Sequence, residues 1–164
     1  MKTLYVARHG EPVHLGAPHA PSDFDRYLTP EGEQKMQQQA QGLQNMGITF
    51  EACYASPLVR TQQTAQYLCA PFGTPIHSTD SLGSSPSIAQ VQRLLQAETA
   101  RHILLVTHQP FVVQLTSWLI SGRMESSFAY HPGSMACIAV YSLEPTPQGE
   151  LQWFLPAAAQ MRQA

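Results

Sequence analysis

The stretch Leu4-Tyr5-Val6-Ala7-Arg8-His9-Gly10 is a short apolar run that ends at two basic residues and a glycine. A run of this kind, bounded by polar residues, is typical of a buried strand in a parallel sheet. We therefore expect a strand over Leu4–Ala7 with Arg8 and His9 at its carboxyl end. Open α/β sheets bind their ligands at that end, so this pair gives the first candidate site residues.

Three further apolar runs predict strands, and helical patterns separate them. The strands are expected over Ala52–Ala55, Ile76–Thr79 and His102–Thr107. The helices are expected from Thr29-Pro30 to Gly47, from Leu58 to about Cys69, around Ile88–Leu95 and from Pro110 onward. Thr29-Pro30, Ser56-Pro57 and Ser85-Pro86 each predict a cap followed by a proline in the first turn. This alternation indicates a three-layer α/β/α fold with a mainly parallel sheet.

The last part of the chain predicts a hairpin. Apolar runs at Ala136–Leu143 and Leu151–Leu155 flank the turn-forming stretch Pro145–Gly149. We expect this antiparallel hairpin to form an edge of the sheet. Because no repeat or linker interrupts the pattern, we expect one domain over residues 1–164. The region Glu11–Leu28 has several Pro and Gly and no periodicity, which predicts a long functional loop.

Composition excludes several classes of protein. A chain of 164 residues can bury about 70% of its unfolded surface. Only 12% of its residues are charged, which argues against disorder. The net charge of -2 provides no field for nucleic acid or anionic lipid. The apolar runs are too short to span a bilayer, and the N-terminus does not resemble a signal peptide. We therefore expect a cytoplasmic protein with no nucleic-acid or membrane partner.

Cysteine and histidine spacing bears on metal binding. The cysteines, Cys53, Cys69 and Cys137, are far apart in sequence and predict reduced, buried thiols. His9, His14 and His19 are evenly spaced in a Pro-rich region, which suggests a metal site as an alternative. No HExxH pattern or cluster of acidic ligands accompanies them. We therefore expect no metal and no other cofactor.

The predicted strand ends bring four basic side chains together. The first strand ends at Arg8 and His9, the fourth ends at His108, and Arg60 lies in the first turn of the helix after the second strand. Arginine forks match phosphate oxygens, and imidazole can act as a nucleophile or a donor at neutral pH. This combination predicts a site for a phosphoryl group.

Each of these residues also has a structural explanation when it is taken alone. A basic pair after a strand is usually a solvated loop, Arg60 alone would be an ordinary helix residue, and His108 alone would be a buried histidine. Their occurrence in order at three strand ends favours the site.

Three ordered blocks of the sequence resemble the histidine phosphatase superfamily, also called phosphoglycerate-mutase-like. They are Arg8-His9-Gly10, Ser56-Pro57-Leu58-Val59-Arg60-Thr61-Gln62-Gln63-Thr64-Ala65 and Val106-Thr107-His108-Gln109-Pro110. The resemblance implies that His9 accepts the phosphoryl group covalently, without a metal. It also implies that Arg8, Arg60 and His108 bind the phosphate, with Gly10 beside them. Positive charge on both arginines and on a protonated His108 is expected to lower the pKa of His9.

Within this superfamily the chain is most similar to the short SixA-type bacterial phosphohistidine phosphatases. Glu11 follows the glycine, Asp25-Arg26-Tyr27-Leu28-Thr29-Pro30-Glu31-Gly32 looks like the SixA-type segment, and the span from Arg60 to His108 is too short for a lid. This similarity implies a phosphorylated substrate, namely a phosphohistidine-bearing protein. The alternatives are a small-molecule phosphomonoesterase of the same superfamily and a phosphate-binding module without turnover.

The general acid is the point where the sequence departs from the larger relatives. Asp80 is the only carboxylate in the region after the third strand, and Glu11 beside the nucleophile is its rival. An imidazole leaving group needs less help from an acid than an alkoxide does, and an acid usually contributes about 10²- to 10⁴-fold. A weak or absent acid therefore favours phosphohistidine as substrate.

The sequence leaves the roles of two further regions open. Arg26 is a candidate for substrate binding, with an ion pair as the alternative. His131 and Gly133-Ser134 lie before the fifth strand and either line the rim of the site or form a plain turn.

Overall fold

Strands and helices alternate along the chain in the computed structural model, which describes residues 1–125 and 128–157. The strands are β1 (Lys2–Arg8), β2 (Ala52–Ala55), β3 (Ile76–Ser78), β4 (His102–Thr107), β5 (Met135–Ser142) and β6 (Gln148–Leu155). The helices are α1 (Pro30–Asn45), α2 (Val59–Cys69), α3 (Ile88–Ala97) and α4 (Phe111–Ser121). The domain predicted over residues 1–164 includes 126–127 and 158–164, which lie outside the described residues.

The six strands form one sheet in the order β3-β2-β4-β1-β5-β6. Strands β1 to β4 are parallel, whereas β5 runs antiparallel to β1 and pairs with β6 at the edge. The predicted fold class is therefore confirmed. In the pairing of β1 with β4, Arg8 lies opposite Thr107. The residues that follow, His9 and His108, consequently lie side by side at the carboxyl end of the parallel strands.

Alternating side chains of each central strand build two separate cores. In β1, Leu4 and Val6 face one core, whereas Tyr5 and Ala7 face the other. Residues of α3 and α4 complete the first core, and residues of α1 and α2 complete the second. Because successive residues of a strand point to opposite faces, a continuous apolar run is what a sheet covered on both sides requires. This arrangement gives the three-layer α/β/α architecture.

Strand boundaries differ from the predicted ones at several ends. Strand β1 begins at Lys2, not at Leu4, because Lys2 and Thr3 pair with Val140 and Ala139 of β5. Strand β3 ends before Thr79, whose hydroxyl caps a 3-10 helix at Asp80–Leu82. Another 3-10 helix follows α2 at Ala70–Phe72. Neither 3-10 helix is predicted from the sequence, because pieces this short have too few residues to show a periodicity.

Two of the three predicted caps are wrong. Thr29 caps α1 as predicted, since its hydroxyl accepts from the Gly32 amide. Helix α2 begins at Val59, after Leu58, and has no side-chain cap. Helix α3 is capped by Ser87, not by Ser85, because the Ser87 hydroxyl accepts from the Gln90 amide. A serine before a proline is therefore not enough to locate a cap, since the chain can run extended for one or two residues after it.

The predicted loop over Glu11–Leu28 is confirmed as a segment without helix or long strand. Its ends meet in an isolated bridge between Pro12 and Leu28. The Leu28 amide also donates to Oε1 of Gln63 on α2 at 2.7 Å. The loop is therefore fastened to the helix that carries Arg60.

The remaining structural predictions concern thiols and membrane segments. Cys53, Cys69 and Cys137 are free and buried, as predicted. Burial raises the pKa of Cys137 to about 11. None of the helices that the structure describes has both the length and the apolar character needed to cross a bilayer.

Candidate active site

His9 lies at the centre of the site and is almost fully buried, with 4% of its surface exposed. Its Nδ1 lies 2.7 Å from the carbonyl oxygen of Gly10. Because a carbonyl only accepts, Nδ1 carries the hydrogen and Nε2 keeps its lone pair. The Nε–H of Arg60 points at that Nε2 at 3.4 Å. The imidazole is thus fixed in one tautomer, and its Nε2 lone pair accepts from the arginine.

The surroundings of His9 keep its imidazole neutral. Burial is the main cause that lowers its pKa to about 3 from the ordinary 6.5. The hydrogen bond to Gly10 raises this pKa, whereas the charges of Arg60 and Arg8 lower it further. At neutral pH the Nε2 lone pair is therefore available to attack an electrophile.

Arg8 is held at the end of β1 by backbone groups. Its Nη1 donates to the carbonyl oxygen of Tyr130 at 2.7 Å. Its Nε is buried and has no partner among the described residues. Burial, followed by the charge of Arg60, lowers the pKa of the guanidinium. The unpartnered Nε–H leaves a donor free for an anion.

Arg60 comes from the first turn of α2 and is 6% exposed. Its Nη1 donates to the carbonyl oxygen of Asp23 at 2.7 Å, and its Nη2 donates to the Asp23 carboxylate at 3.1 Å. The same carboxylate accepts from Arg26 at 3.0 Å. Asp23 thus contacts two arginines, of which Arg60 contacts His9.

His108 follows β4 and is half-buried. Its Nε2 is buried and has no partner among the described residues. Burial lowers the pKa of the ring below its ordinary 6.5, and Arg60 adds to that effect. The carbonyls of Gln109 and Gly83 and the Asp23 carboxylate act in the opposite direction. A protonated His108 stays a prediction, although burial favours the neutral ring in the free protein.

Gly10, the residue after His9, connects the end of β1 to α2 through a hydrogen bond. Its amide donates to the Thr64 hydroxyl at 2.9 Å, and that hydroxyl donates to the Arg60 carbonyl at 2.7 Å. A Cβ at position 10 would lie 3.0 Å from Cγ of Met36. A side chain at this position would require Met36 of α1 to shift by a few tenths of an ångström.

The two acid candidates lie in different places. The Glu11 carboxylate lies 3.9 Å from Nζ of Lys35 on α1. Asp80 is exposed and begins the 3-10 helix after β3. In the part of the chain that the structure describes, neither carboxylate forms an ion pair with Arg8 or Arg60. The choice between Glu11 and Asp80 remains open.

Arg26 adopts the ion-pair alternative in the free protein. It bonds to the Asp23 carboxylate, and its Nε donates to the Val13 carbonyl at 2.8 Å. Substrate binding by Arg26 stays a prediction.

The turn at His131–Ser134 is hydrogen-bonded to the backbone of Arg8 and His9. The Gly133 amide donates to the His9 carbonyl at 2.9 Å, and the Arg8 amide donates to the Ser134 carbonyl at 3.0 Å. Gly133 has a φ of 83°, a conformation that favours glycine. These contacts are with the backbone of the site, so the turn acts as a support.

The metal alternative gains no support from the geometry. His9 is buried, whereas His14 and His19 are exposed in the loop. Over residues 1–125 and 128–157, no group of three or more His, Cys, Asp or Glu side chains could hold a metal ion.

Sequence reasoning missed three residues that organise the site. They are Asp23, Thr64 and Tyr130, which contact Arg60, Gly10 and Arg8 respectively. Thr64 lies one helical turn after Arg60, which is a detectable signal. Asp23 precedes Arg26 by three residues in a turn, which is a weaker signal. Tyr130 acts through its backbone carbonyl, so its identity carries no signal for that contact.

The site joins a neutral imidazole nitrogen to two guanidinium groups and a second imidazole. Arginine donors stabilise the charge on transferred phosphoryl oxygens. The arrangement therefore has the parts needed to bind a phosphoryl group and to attack its phosphorus.

Comparison with known proteins agrees with this chemistry. The family model of the histidine phosphatase superfamily (branch 1) matches residues 4–83. The chain is 37% identical over 113 residues to an uncharacterized protein of Picosynechococcus sp. (strain ATCC 27264 / PCC 7002 / PR-6), covering 65% of this chain and 66% of that protein. It is 25% identical over 155 residues to phosphohistidine phosphatase SixA of Escherichia coli (strain K12), covering 92% of this chain and 91% of SixA.

A solved structure shows the same fold. The protein histidine phosphatase SixA complexed with tungstate superposes with a TM-score of 0.83 at 22% identity, covering 96% of this chain and 98% of that chain. The two structures therefore share their architecture. Together with the three sequence blocks and the family match, this likeness shows that the chain belongs to the histidine phosphatase superfamily and has a SixA-like fold.

Proposed function

We propose that this chain is a SixA-type phosphohydrolase that transfers phosphate from a phosphohistidine-bearing protein to His9 and then to water. Members of the superfamily are phosphatases, so a phosphorylated substrate follows from the family. The observation that carries the proposal is the buried, neutral His9 whose Nε2 faces Arg60 at 3.4 Å.

In the first step of the proposed reaction, the Nε2 lone pair of His9 attacks phosphorus. A new P–N bond forms to His9, and the P–N bond to the substrate imidazole breaks. The electron pair of that bond returns to the leaving imidazole, which takes up a proton. Arg8, Arg60 and His108 bind the phosphoryl oxygens, so electrostatic stabilisation and positioning supply most of the catalysis.

In the second step, water attacks the phosphorus of phospho-His9. The P–Nε2 bond breaks, its electron pair returns to Nε2, and inorganic phosphate leaves. The Nδ1–H bond to the Gly10 carbonyl keeps the ring in one orientation through both steps. That bond also favours positive charge on the phosphorylated ring, which makes the imidazole a better leaving group.

The short span between α2 and β4 supports a protein as substrate. Between α2 and β4 the chain contains only two 3-10 helices, β3 and α3. No inserted segment thus covers His9 from this part of the chain. The similarity to Escherichia coli SixA, a phosphohistidine phosphatase by name, points to the same substrate class.

The proposal includes three further expectations from the sequence. The reaction needs no metal or other cofactor. The protein acts in the cytoplasm and has neither a nucleic-acid nor a membrane partner. Asp80 or Glu11 protonates the leaving group where a proton donor is needed, with Arg26 and Gly10 at the substrate.

Turnover in the presence of EDTA tests the proposal. The purified protein is incubated with a histidine-phosphorylated protein and, separately, with small phosphomonoesters, while phosphate release and acid-labile phosphate on the chain are followed. The control is His9→Ala, with circular dichroism to establish that it folds. We expect phosphohistidine turnover that His9→Ala lowers by at least about 10³-fold.

Other results would favour the alternatives. Efficient hydrolysis of phosphomonoesters with little turnover of phosphohistidine would indicate a small-molecule phosphatase. Phosphate binding without turnover of either substrate, equal in wild type and His9→Ala, would indicate a binding module.

A further inference from the structure

Arg60 has an outer edge that donates to Asp23 and an inner edge that faces His9. Its Nη1 and Nη2 donate to the carbonyl and carboxylate of Asp23, whereas its Nε–H points at His9. A guanidinium is planar and has five N–H donors. The Nε–H, which donates to Nε2 of His9 at 3.4 Å, and the second hydrogen of Nη2 therefore form the inner edge, which faces any group bound to His9.

The two partners differ greatly in exposure. The Arg60 side chain is 7% exposed, whereas the Asp23 side chain is 60% exposed. A buried cation is costly unless its polar groups are paired. Asp23 thus supplies, from the surface loop, the pairing that the buried arginine requires.

The position of Asp23 is itself fixed. The neighbouring Phe24 carbonyl accepts from the Val59 amide at 3.2 Å, one residue before Arg60. On its other side, the carboxylate accepts from Arg26 at 3.0 Å. The loop and the first turn of α2 therefore form one hydrogen-bonded unit.

We infer that Asp23 is a positioning residue, which holds Arg60 by its outer edge so that the inner edge faces the phosphoryl group on His9. This inference rests on the proposed function for its catalytic consequence. Asp23 acts through Arg60 and does not donate a proton to the leaving group. Partial burial raises the pKa of the carboxyl, but hydrogen bonds from Arg26 and Arg60 outweigh that effect and lower it overall. The carboxylate is therefore ionised at neutral pH.

Two variants of Asp23 separate positioning from other roles. Asp23→Ala removes the carboxylate, whereas Asp23→Asn keeps an oxygen that can accept from Nη2. The matched control is Asp25→Ala, which removes a carboxylate of the same loop that accepts from the Ser22 hydroxyl at 2.6 Å. Each variant is assayed on a phosphoramidate and on a series of aryl phosphates whose leaving groups differ in pKa.

We expect Asp23→Ala to lower kcat/KM by about 10- to 100-fold, because a small misplacement of a catalytic group has costs of that size. The loss should be equal for all leaving groups. Asp23→Asn should rescue most of the activity, and Asp25→Ala should stay within about 3-fold of wild type.

Three outcomes would overturn the inference. A loss confined to poor leaving groups would identify Asp23 as an acid. Tighter phosphate binding with unchanged or faster turnover in Asp23→Ala would identify it as a competitor of the substrate. Equal activity in Asp23→Ala and wild type would show that Arg60 needs no support.

A second measurement does not depend on activity. The Arg60 Nε–H resonance is followed by ¹⁵N NMR in the free protein, and hydrogen exchange at Nε should speed up at least about 10-fold in Asp23→Ala but not in Asp25→Ala. If the wild type turns over no substrate but this dependence is present, the proposed function fails and the positioning of Arg60 stands. If turnover is present but exchange does not change, the positioning inference fails alone.

Discussion

Arg8 and Arg60 bring the same charge to the site, but different regions of the molecule hold them. Arg8 is held by the carbonyl of Tyr130, a residue with 2% of its surface exposed. Arg60 is held by Asp23, whose side chain is 60% exposed. One arginine is thus held by a buried residue between α4 and β5, and the other by an exposed residue of the loop before α1.

Because of this difference, pH and salt should affect the position of Arg60 more than that of Arg8. The neutral carbonyl of a buried residue is indifferent to pH and salt, so the position of Arg8 follows the fold. A carboxylate at the surface is screened by ions, so the position of Arg60 depends on its surroundings. The comparison predicts that changes to the loop will act through Arg60 and leave Arg8 unaffected.

The largest effects are expected from the arginines themselves. Arg8→Gln and Arg60→Gln should each lower kcat/KM by about 10²- to 10³-fold, because each removes donors to the phosphoryl oxygens. Steady-state kinetics with a phosphohistidine substrate measures both.

Double variants test whether Asp23 acts on Arg60 alone or on Arg8 as well. Asp23→Ala should lower the activity of Arg8→Gln further by its own factor, but it should add little to Arg60→Gln. If it weakens both single variants equally, Asp23 does not act through Arg60.

The next effect is on stability against pH and concerns His9, which lies between the two arginines. The folded pKa of about 3 is below the ordinary 6.5. Between these values, the unfolded chain binds a proton that the folded chain does not. The free energy of unfolding should therefore fall as pH decreases from 6.5, by about 1.4 kcal/mol per pH unit from this residue. Urea unfolding of wild type and His9→Asn between pH 4.5 and about 7.5 isolates the contribution by difference.

The pKa of His9 also shows which of the two arginines acts on it more strongly. Burial lowers the pKa of His9 most, and the charge of Arg60 lowers it more than that of Arg8. The His9 pKa, followed by NMR, should thus rise further in Arg60→Gln than in Arg8→Gln. The reverse order would contradict the view that Arg60 is the closer partner of His9.

A smaller effect is expected from a change to Tyr130, the residue whose carbonyl holds Arg8. The Tyr130 hydroxyl donates to the Val6 carbonyl at 2.8 Å. Tyr130→Phe should lower the free energy of unfolding by about 1 kcal/mol, the usual net cost of such a bond. Urea unfolding measures it. Because the carbonyl that binds Arg8 remains, kcat/KM should change little; a fall above about 10-fold would show that Arg8 is as sensitive as Arg60.

The sequence predicted the four basic site residues because each follows a strand or begins a helix. Apolar runs locate such ends well, and the parallel sheet brings Arg8, His9 and His108 to one edge. Two helix caps were predicted wrongly, since Ser56-Pro57 and Ser85-Pro86 have the same pattern as Thr29-Pro30 but do not cap a helix.

The residues that orient the site were not predictable in the same way. Asp23 belongs to a loop without periodicity, and its contact with Arg60 exists only after the loop folds onto α2. Tyr130 contributes a backbone carbonyl, which every residue has. Burial lowers the pKa of His108, and sequence spacing does not report burial.

The smallest effects are expected from the carboxylates that do not hold an arginine of the site. Glu11 lies near Lys35, and Asp80 is exposed after β3. With phosphohistidine, Glu11→Gln and Asp80→Asn should each change kcat/KM by no more than about 3-fold, because a protonated imidazole leaves readily and an acid adds little. Parallel assays on an alkyl phosphate provide the contrast, since an alkoxide leaving group needs a proton. If one variant loses about 10²-fold or more on phosphohistidine as well, that carboxylate is required for the chemistry. That result would contradict the view that catalysis depends on Asp23 and not on Glu11 or Asp80.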